Sequence, residues 1–487
     1  MIRYDDCLNT QEVVVGTSSL DKFFDEPVVL PKNIDTARKS DVYKTIYVHF
    51  RNVQDMADFC EKIGQVIDYK TSEIYYPIVD QNTNLFDDLD NVESKTIKVE
   101  QSILFPRKTK SSVVNKKAHS IGANKWKLHW NEMPDFVQEE RASFRSVTIK
   151  FRTESDYKAF SDAIEQTLSS NTKSIWHPKL DNPKNSLFRW VQDVPSKCKY
   201  PVYVISKNRS DSMYTSRSLN DMGVHHYIAV EPQDVSSYTQ ALDDFKISTA
   251  TILTLPFSNH GMGSGPARNF CWDHSIENGH KRHWILDDNI QDFYRLHQNT
   301  RYRVKSPVFF RVMEDFVDRY KNIRLAGPRY RFFCSSDQKY PAFIKNTHIM
   351  SCILIDNSID FRWRSKYNED IDLSLRVLKE GGCTVLFNAF LQGKCATQTV
   401  KGGNTEEVYK ADQLDYTDTT YEKTIVLANL HPDVVRVVER YGRWHHHVDY
   451  SKFEHMDILL DDNVVLSNAI NDYGMRLEKL DENERVD

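Results

Sequence analysis

The chain has 487 residues, 40% of them apolar, and a formal net charge of −5 at pH 7. That length supports two or three domains with a sizeable core, and the mild acidity argues against a large nonspecific nucleic-acid footprint. No run of about 20 apolar residues occurs, which excludes a membrane-spanning helix, and the opening Met1-Ile2-Arg3-Tyr4-Asp5-Asp6 lacks a signal peptide's apolar core. The eight cysteines are scattered, with no CxxC pair and no zinc spacing, so buried free thiols in a reducing cytoplasm are expected.

Residues 1–40 form an N-terminal segment. A repeat module is expected over 41–180, because residues 43–77 align with 144–178 without gaps at a constant offset of 101 (144 − 43). Phe50 aligns with Phe151, Phe59 with Phe160, Ile63 with Ile164 and Pro77 with Pro178. Each copy reads as strand, helix, strand. A unit of this size is too small to bury a core alone, so the two copies should share one sheet with helices on one side. The shared Phe and Ile positions are read as core. The Tyr76-Pro77 and His177-Pro178 ends offer, as a lesser alternative, an exposed recognition edge.

Between the copies, Gln81–Glu100 reads as an acidic loop. It is followed by an acid-free stretch containing Arg107, Lys108, Lys110, Lys116, Lys117, Lys125 and Lys127, which ends beside Trp126 and Trp130. Basic residues next to aromatics suit phosphates and unstacked bases, although a solvated linker with a hairpin is the plainer reading. Asp181–Tyr200, with two prolines, reads as the linker to a second domain at 196–425. A chain beginning near Lys197 is therefore expected to fold by itself.

That second domain alternates strands and helices. Val202-Tyr203-Val204-Ile205 and Tyr227-Ile228-Ala229-Val230 read as strands, the second ending at Glu231. Thr251–Leu255 reads as a buried strand leading into the Gly-rich loop Gly261-Met262-Gly263-Ser264-Gly265. Pro266 then suits the first turn of a helix over about 266–278. Its amino end would face an anion, with Arg268 placed to grip phosphate. Trp284-Ile285-Leu286-Asp287-Asp288-Asn289 is a buried strand that ends in two carboxylates. Such hard oxygen ligands suit Mg²⁺ or Mn²⁺ holding a diphosphate. The basic residues Arg301, Arg303, Lys305 and Arg311 follow, and of these Arg301, Arg303 and Lys305 are candidates for contacting a DNA backbone. A helix is expected from about Asn368. Its first turn carries Glu369 and Asp370, as helix caps or as general base. The remainder, 426–487, is a C-terminal extension. It holds a helical pattern over Pro432–Val438 and the unusual triplet His445-His446-His447. In a strand, His445 and His447 would share a face.

From about Tyr200 to Asn404, the order of these motifs resembles the GT-A glycosyltransferases, and more closely the TET-associated glycosyltransferases of bacteriophages. The resemblance implies an α/β fold: a GT-A-like catalytic domain with a mostly parallel sheet, preceded here by the two small β-α-β repeats. It also implies a nucleotide-sugar donor, taken as a UDP-sugar, a divalent metal (Mn²⁺ or Mg²⁺), and hydroxymethylated pyrimidines in DNA as acceptor, with 5-hydroxymethylcytosine the leading choice. Donor contacts fall on Ser206, Arg209, Glu231, Gly265, Arg268 and Asp287. Asp288 is the expected metal ligand, and in many GT-A enzymes a later His completes the site, which points to His445 or His447. Asp370 is the expected base, with Glu369 in reserve, and a single displacement would invert the anomeric centre. The setting implied is the cytoplasm of an infected bacterium, with no membrane. The repeats would hold DNA or dock a protein partner. The same fold leaves two alternatives open: a protein glycosyltransferase or nucleotidyltransferase, and a degenerate DNA-binding scaffold.

Overall fold

The computed structural model describes residues 42–68, 70–78, 125–139, 143–180, 187–335, 338–395, 402–403, 419–440 and 443–480. The N-terminal segment, the acidic loop and the basic run from Arg107 to Lys117 lie outside the described residues.

The repeats form one sheet. Copy one contributes β1 (Lys44–Phe50), α1 (Val53–Ile63) and β2 (Glu73–Tyr76), and copy two contributes β3 (Arg145–Phe151), α2 (Glu154–Ala163) and β4 (Ser174–His177). The spatial order is β2-β3-β1-β4, with β1 and β3 antiparallel at the centre. The outer strands are exchanged: β2 runs parallel to β3, and β4 parallel to β1. Each copy thus completes the other's sheet, which is how two units too small to fold alone share a core. Phe50, Phe59, Phe151 and Phe160 are fully buried there with Ile63 and Ile164, as the aligned positions predict. The exposed-edge alternative fails at copy two, because His177 is buried and its Nε2 lies 2.7 Å from Asp58.

Among the described residues, the larger sheet has twelve strands. In chain order they are β5 (Phe188–Gln192), β6 (Val202–Ile205), β7 (His226–Val230), β8 (Ala250–Thr254), β9 (Arg282–Asp287), β10 (Ile290–His297), β11 (Thr300–Val304), β12 (Ile323–Tyr330), β13 (Phe343–Lys345), β14 (Cys352–Asp356), β15 (Cys383–Lys394) and, after the hairpin of β16 (Val435–Arg440) and β17 (Arg443–Val448), β18 (Met475–Lys479). The run β9-β6-β7-β8 is wholly parallel. Beyond β9 the sheet becomes mixed, because β14 is antiparallel to both its neighbours and β10 is antiparallel to β15 and β11. Helices α3 (Tyr214–Asp221), α4 (Val235–Asp244), α5 (Gly265–Glu277), α6 (Val308–Val317), α7 (Glu369–Lys379) and α8 (Thr419–Leu430) are the further α-helices among the described residues.

Three expectations are corrected here. The linker carries β5, which joins the large sheet between β18 and β11. Residues 125–139 do not form a solvated hairpin in the repeat module. Trp130 is buried in the core of the large sheet, with its ring centroid 5.7 Å from Phe316 and 6.1 Å from Phe343, and Trp126 packs against the same cluster. The second domain therefore extends outside 196–425 in sequence. Finally, Val434–Val438 leads into a strand rather than a helix. Its β-branched run pairs with the histidine segment in a hairpin, which satisfies backbone groups that a short exposed helix would leave to water. Strand β8 exists as expected, but it is the sheet's edge and only partly buried.

Candidate active site

Strands β6, β7, β9, β12 and β15 all run the same way, so their carboxyl ends meet at one edge of the sheet. Ligands of α/β sheets bind at this edge. A cleft of about 990 Å³ lies there. It is lined by Ser206, Arg209, Glu231, Arg268, Asp287, Asp288, Glu369 and Asp370, which in sequence span more than 160 residues.

Arg268 is the hub. It sits in the first turn of α5, is 3% exposed, and its guanidinium lies 4.6 Å from the Trp363 ring centroid. Its Nη1 donates to Asp370 Oδ1 at 2.6 Å, and its Nη2 donates to Asp287 Oδ1 at 2.8 Å and lies 3.6 Å from Glu369. The strand-end acid and the helix-start acids are thus gathered on one cation. Lys394, at the end of β15, donates to Asp287 Oδ2 at 2.7 Å and to Ser351 Oγ at 2.8 Å. Burial by itself would raise Asp287, but Lys394 and Arg268 outweigh it and hold this carboxyl well below the usual range. Asp370 behaves oppositely: burial pushes it up to about 7 against the pull of Arg268. The charge balance explains the split. Two cations, Arg268 and Lys394, face three carboxylates, so one proton is held at the least solvated acid.

Asp288 lies on the side of the loop that follows β6. Its Oδ1 receives Arg209 Nη1, and its Oδ2 receives Ser206 Oγ at 2.7 Å. Burial raises its carboxyl despite Arg209. Glu231 accepts from Lys207 Nζ at 3.0 Å and from the Asn259 backbone N–H at 3.1 Å, tying the end of β7 to the Gly-rich loop.

Several expected site residues stand elsewhere. Gly265 does not line the cleft. Gly261 and Gly263 do, and both take the left-handed backbone that glycine favours. Lys305 does not line the cleft either; its Nζ pairs with Asp221 at 2.9 Å. Arg301 and Arg303 do line it. His445 and His447 do not, and neither does His446 between them. His446 is the member that interacts with His348, a residue of the cleft wall. Burial lowers His348 to about 4, so it is neutral there, and its Nδ1 lies 2.8 Å from the Tyr450 hydroxyl.

Among the described residues, no group of three His, Cys, Asp or Glu side chains is arranged to hold a metal. The oxygens at the end of β9 are of the type that Mg²⁺ or Mn²⁺ takes, and each carboxylate oxygen of Asp287 and Asp288 here meets Arg268, Lys394, Arg209 or Ser206. Asp287 and Asp288 are adjacent carboxylates, and among the described residues the buried Asn289 Oδ1 has no hydrogen-bond partner. Such ions are commonly held by one or two carboxylates plus substrate phosphates.

The sequence reading missed Lys394, Ser351, Tyr330 and the pair Gly402-Gly403. Gly402 has φ +82°, its carbonyl accepts from Arg209 Nη2 at 3.1 Å, and a Cβ there would lie 2.2 Å from the Asn208 carbonyl oxygen. The Gly-Gly dipeptide was the only local signal available. Lys394 is 107 residues from Asp287, and nothing in its neighbourhood marks it.

The parallel strands, the glycine-rich entry to α5 and the acidic strand end define a GT-A-like α/β domain. Residues 200–403 match the family model of the TET-associated glycosyltransferases. No curated protein matches the chain. Among solved structures, residues 1–349 of S. aureus TarS align at 10% identity with a TM-score of 0.28, over 47% of this chain and 66% of that one. The same fragment in complex with UDP aligns at 11% identity with a TM-score of 0.27, over 48% and 72%. The assignment rests on the family match and on the strands described above.

Proposed function

We propose that this protein moves a sugar from a UDP-sugar donor to the hydroxymethyl group of a 5-hydroxymethylpyrimidine in DNA, with 5-hydroxymethylcytosine the leading acceptor. The observation that carries the chemistry is the Arg268 hub, which links a buried carboxyl of pKa about 7 to the acidic strand end. A general base works best when its pKa lies near the working pH. Asp370 takes the proton of the acceptor hydroxyl as that oxygen forms its bond to the anomeric carbon. The bond from this carbon to the diphosphate oxygen breaks, and its electron pair leaves with UDP. One displacement inverts the anomeric centre. Arg268, Lys394 and Arg209 supply positive charge where the diphosphate develops negative charge. Asp287 and Asp288, with Asn289, would hold Mn²⁺ or Mg²⁺, which adds Lewis-acid stabilisation of the leaving group. His445 and His447 have no part in this arrangement.

The acceptor reading is supported by the family and by the arginines beyond the donor half of the cleft. Such DNA occurs during phage infection, so the enzyme would act in the cytoplasm of an infected bacterium. The repeats would hold the substrate or dock a protein partner. Incubating hydroxymethylated DNA with a panel of UDP-sugars and Mn²⁺, followed by mass spectrometry of the nucleosides, tests the proposal. A hexose or pentose increment on the modified pyrimidine is expected. Modification of a protein acceptor, with DNA unchanged, would move the activity to the alternative class.

A further inference from the structure

The far end of the cleft holds a cluster that the donor chemistry leaves unused. Strand β12 ends at Tyr330 and passes directly into a single 3₁₀ turn, Arg331–Phe333. Phe332 and Phe333 line the cleft, yet they leave 39% and 51% of their surface in water. Adjacent large aromatics left in solvent at the rim of a polar cleft mark a place where something binds. These two are in edge contact at 5.4 Å, and Phe333 lies 6.0 Å from Tyr330. The Tyr330 hydroxyl is 2.6 Å from Ser351 Oγ, and the Ser351 backbone N–H donates to Asp370 at 3.1 Å. An aromatic path therefore runs from solvent to the wall that holds the base.

Arginines flank this path. Arg301 donates to the carbonyls of Arg331 and Cys334 at 3.3 and 2.9 Å, and Arg331 lies 4.7 Å from the Tyr294 ring centroid. Neither guanidinium has a carboxylate partner among the described residues, whereas Arg303 pairs with Asp292 at 3.0 Å. Among the described residues, these three guanidiniums beside one carboxylate leave positive charge that a phosphate would satisfy in fork geometry. Asp370 itself is only 7% exposed, so a pyrimidine stacked inside a duplex cannot bring its substituent there. Enzymes that act on a base in this position take it out of the stack.

We propose that the Arg331–Phe333 turn is the acceptor-strand element: Phe332 and Phe333 enter the duplex beside a pyrimidine rotated out toward Asp370, while Arg301, Arg303 and Arg331 hold the flanking phosphates. This rests on the DNA-acceptor reading above and adds how the duplex is opened.

The test compares the full-length chain with a Phe332→Ala/Phe333→Ala double variant and a Phe332→Tyr control. Three DNA substrates each carry one hydroxymethylated pyrimidine: in a matched duplex, opposite a mismatch, or in a single strand. Base–aromatic stacking is worth ~1–3 kcal/mol per base, so the double variant should lose roughly 5- to 150-fold on the matched duplex. The loss should be at least several-fold smaller on the mismatch and the single strand, where no pair has to be broken. Phe332→Tyr should recover most of the duplex activity. Equal losses on all three substrates, or no loss on any, would overturn the inference while leaving the acceptor reading intact. Failure of the unaltered chain to modify even the single strand would overturn the acceptor reading and this inference with it.

Discussion

At the residue scale, the site works by sharing one guanidinium among acids of unequal solvation. Asp287 is ionised throughout the physiological range, while Asp370 titrates near 7 because burial penalises its charged form. Since the base must be ionised, turnover should rise with pH through about 7 and then level off, and a pH–kcat profile reads this directly. Asp370→Asn should lower kcat by roughly 10²- to 10⁴-fold, remove that limb, and change donor affinity little. If Glu369→Gln costs more than Asp370→Asn, the two roles are exchanged. Metal dependence is a separate test. Chelation with EDTA should abolish donor hydrolysis, and Mn²⁺ should restore it. Asp288→Ala should not recover with added metal. Full hydrolysis in EDTA would leave neutralisation of the diphosphate to Arg268, Lys394 and Arg209 alone.

At the scale of elements, two features hold the site's frame. The first is the Gly402-Gly403 segment lying on the loop that follows β6. Gly402→Ala would drive a Cβ into the Asn208 carbonyl and shift Arg209, so donor Kd should weaken about tenfold or more, or ~1.4 kcal/mol. Gly381 has the same φ of +82° with nothing within 4 Å, so Gly381→Ala should strain the backbone but leave donor affinity unchanged. Isothermal titration of UDP with the two variants separates closeness of approach from strain. The second feature is Glu314, buried within α6. It accepts from the Lys199 N–H at 2.8 Å, the Trp284 Nε1–H at 2.9 Å and the Tyr200 N–H at 3.4 Å, which pins the entry to β6 against β9. Glu314→Ala strands these donors and should cost ~3 kcal/mol in urea unfolding. Burial raises the Glu314 carboxyl from 4.5 to about 7. The folded chain therefore binds this proton more tightly than the unfolded chain does. Its contribution to stability falls as pH rises between about 4.5 and about 7 and is constant above that window.

At the scale of the whole molecule, the transferase and the repeats are interleaved in sequence. Residues 125–139, which lie between the two repeat copies, belong to the transferase core, and β5 and β18 extend its sheet beyond the matched family region. A chain beginning at Lys197 should accordingly melt at a lower temperature, or without a cooperative transition, since it lacks Trp130 and lacks β5, the strand that joins β18 to the sheet. Trp130→Ala in the full chain should lower the unfolding free energy by about 3–5 kcal/mol, the usual cost of removing a buried large aromatic. A Lys197 chain that melts like the full-length protein would show that these N-terminal pieces are dispensable to the fold.

What the sequence determined by itself was whatever is written in short, local patterns. The aligned Phe and Ile positions specified a shared repeat core. Leu286-Asp287-Asp288-Asn289 and Gly265-Pro266-Ala267-Arg268 specified a strand end and a helix start, because an apolar run, a Pro in the first helical turn and a cluster of acids each act within one or two turns of backbone. Asp370, Glu369, Arg268 and Asp287 were legible for that reason. Only tertiary structure decided which charges meet. Lys394 reaches Asp287 because β12 and β15 run parallel to β9 and end at the same edge, a fact about strand order that no window of sequence contains. The same holds for His446 facing His348 in place of its neighbours, for Trp130 crossing to Phe316, and for the Arg331–Phe333 turn arriving at the mouth of the cleft. Local propensity acts over a few residues, whereas a site of this kind is assembled by sheet register across more than a hundred.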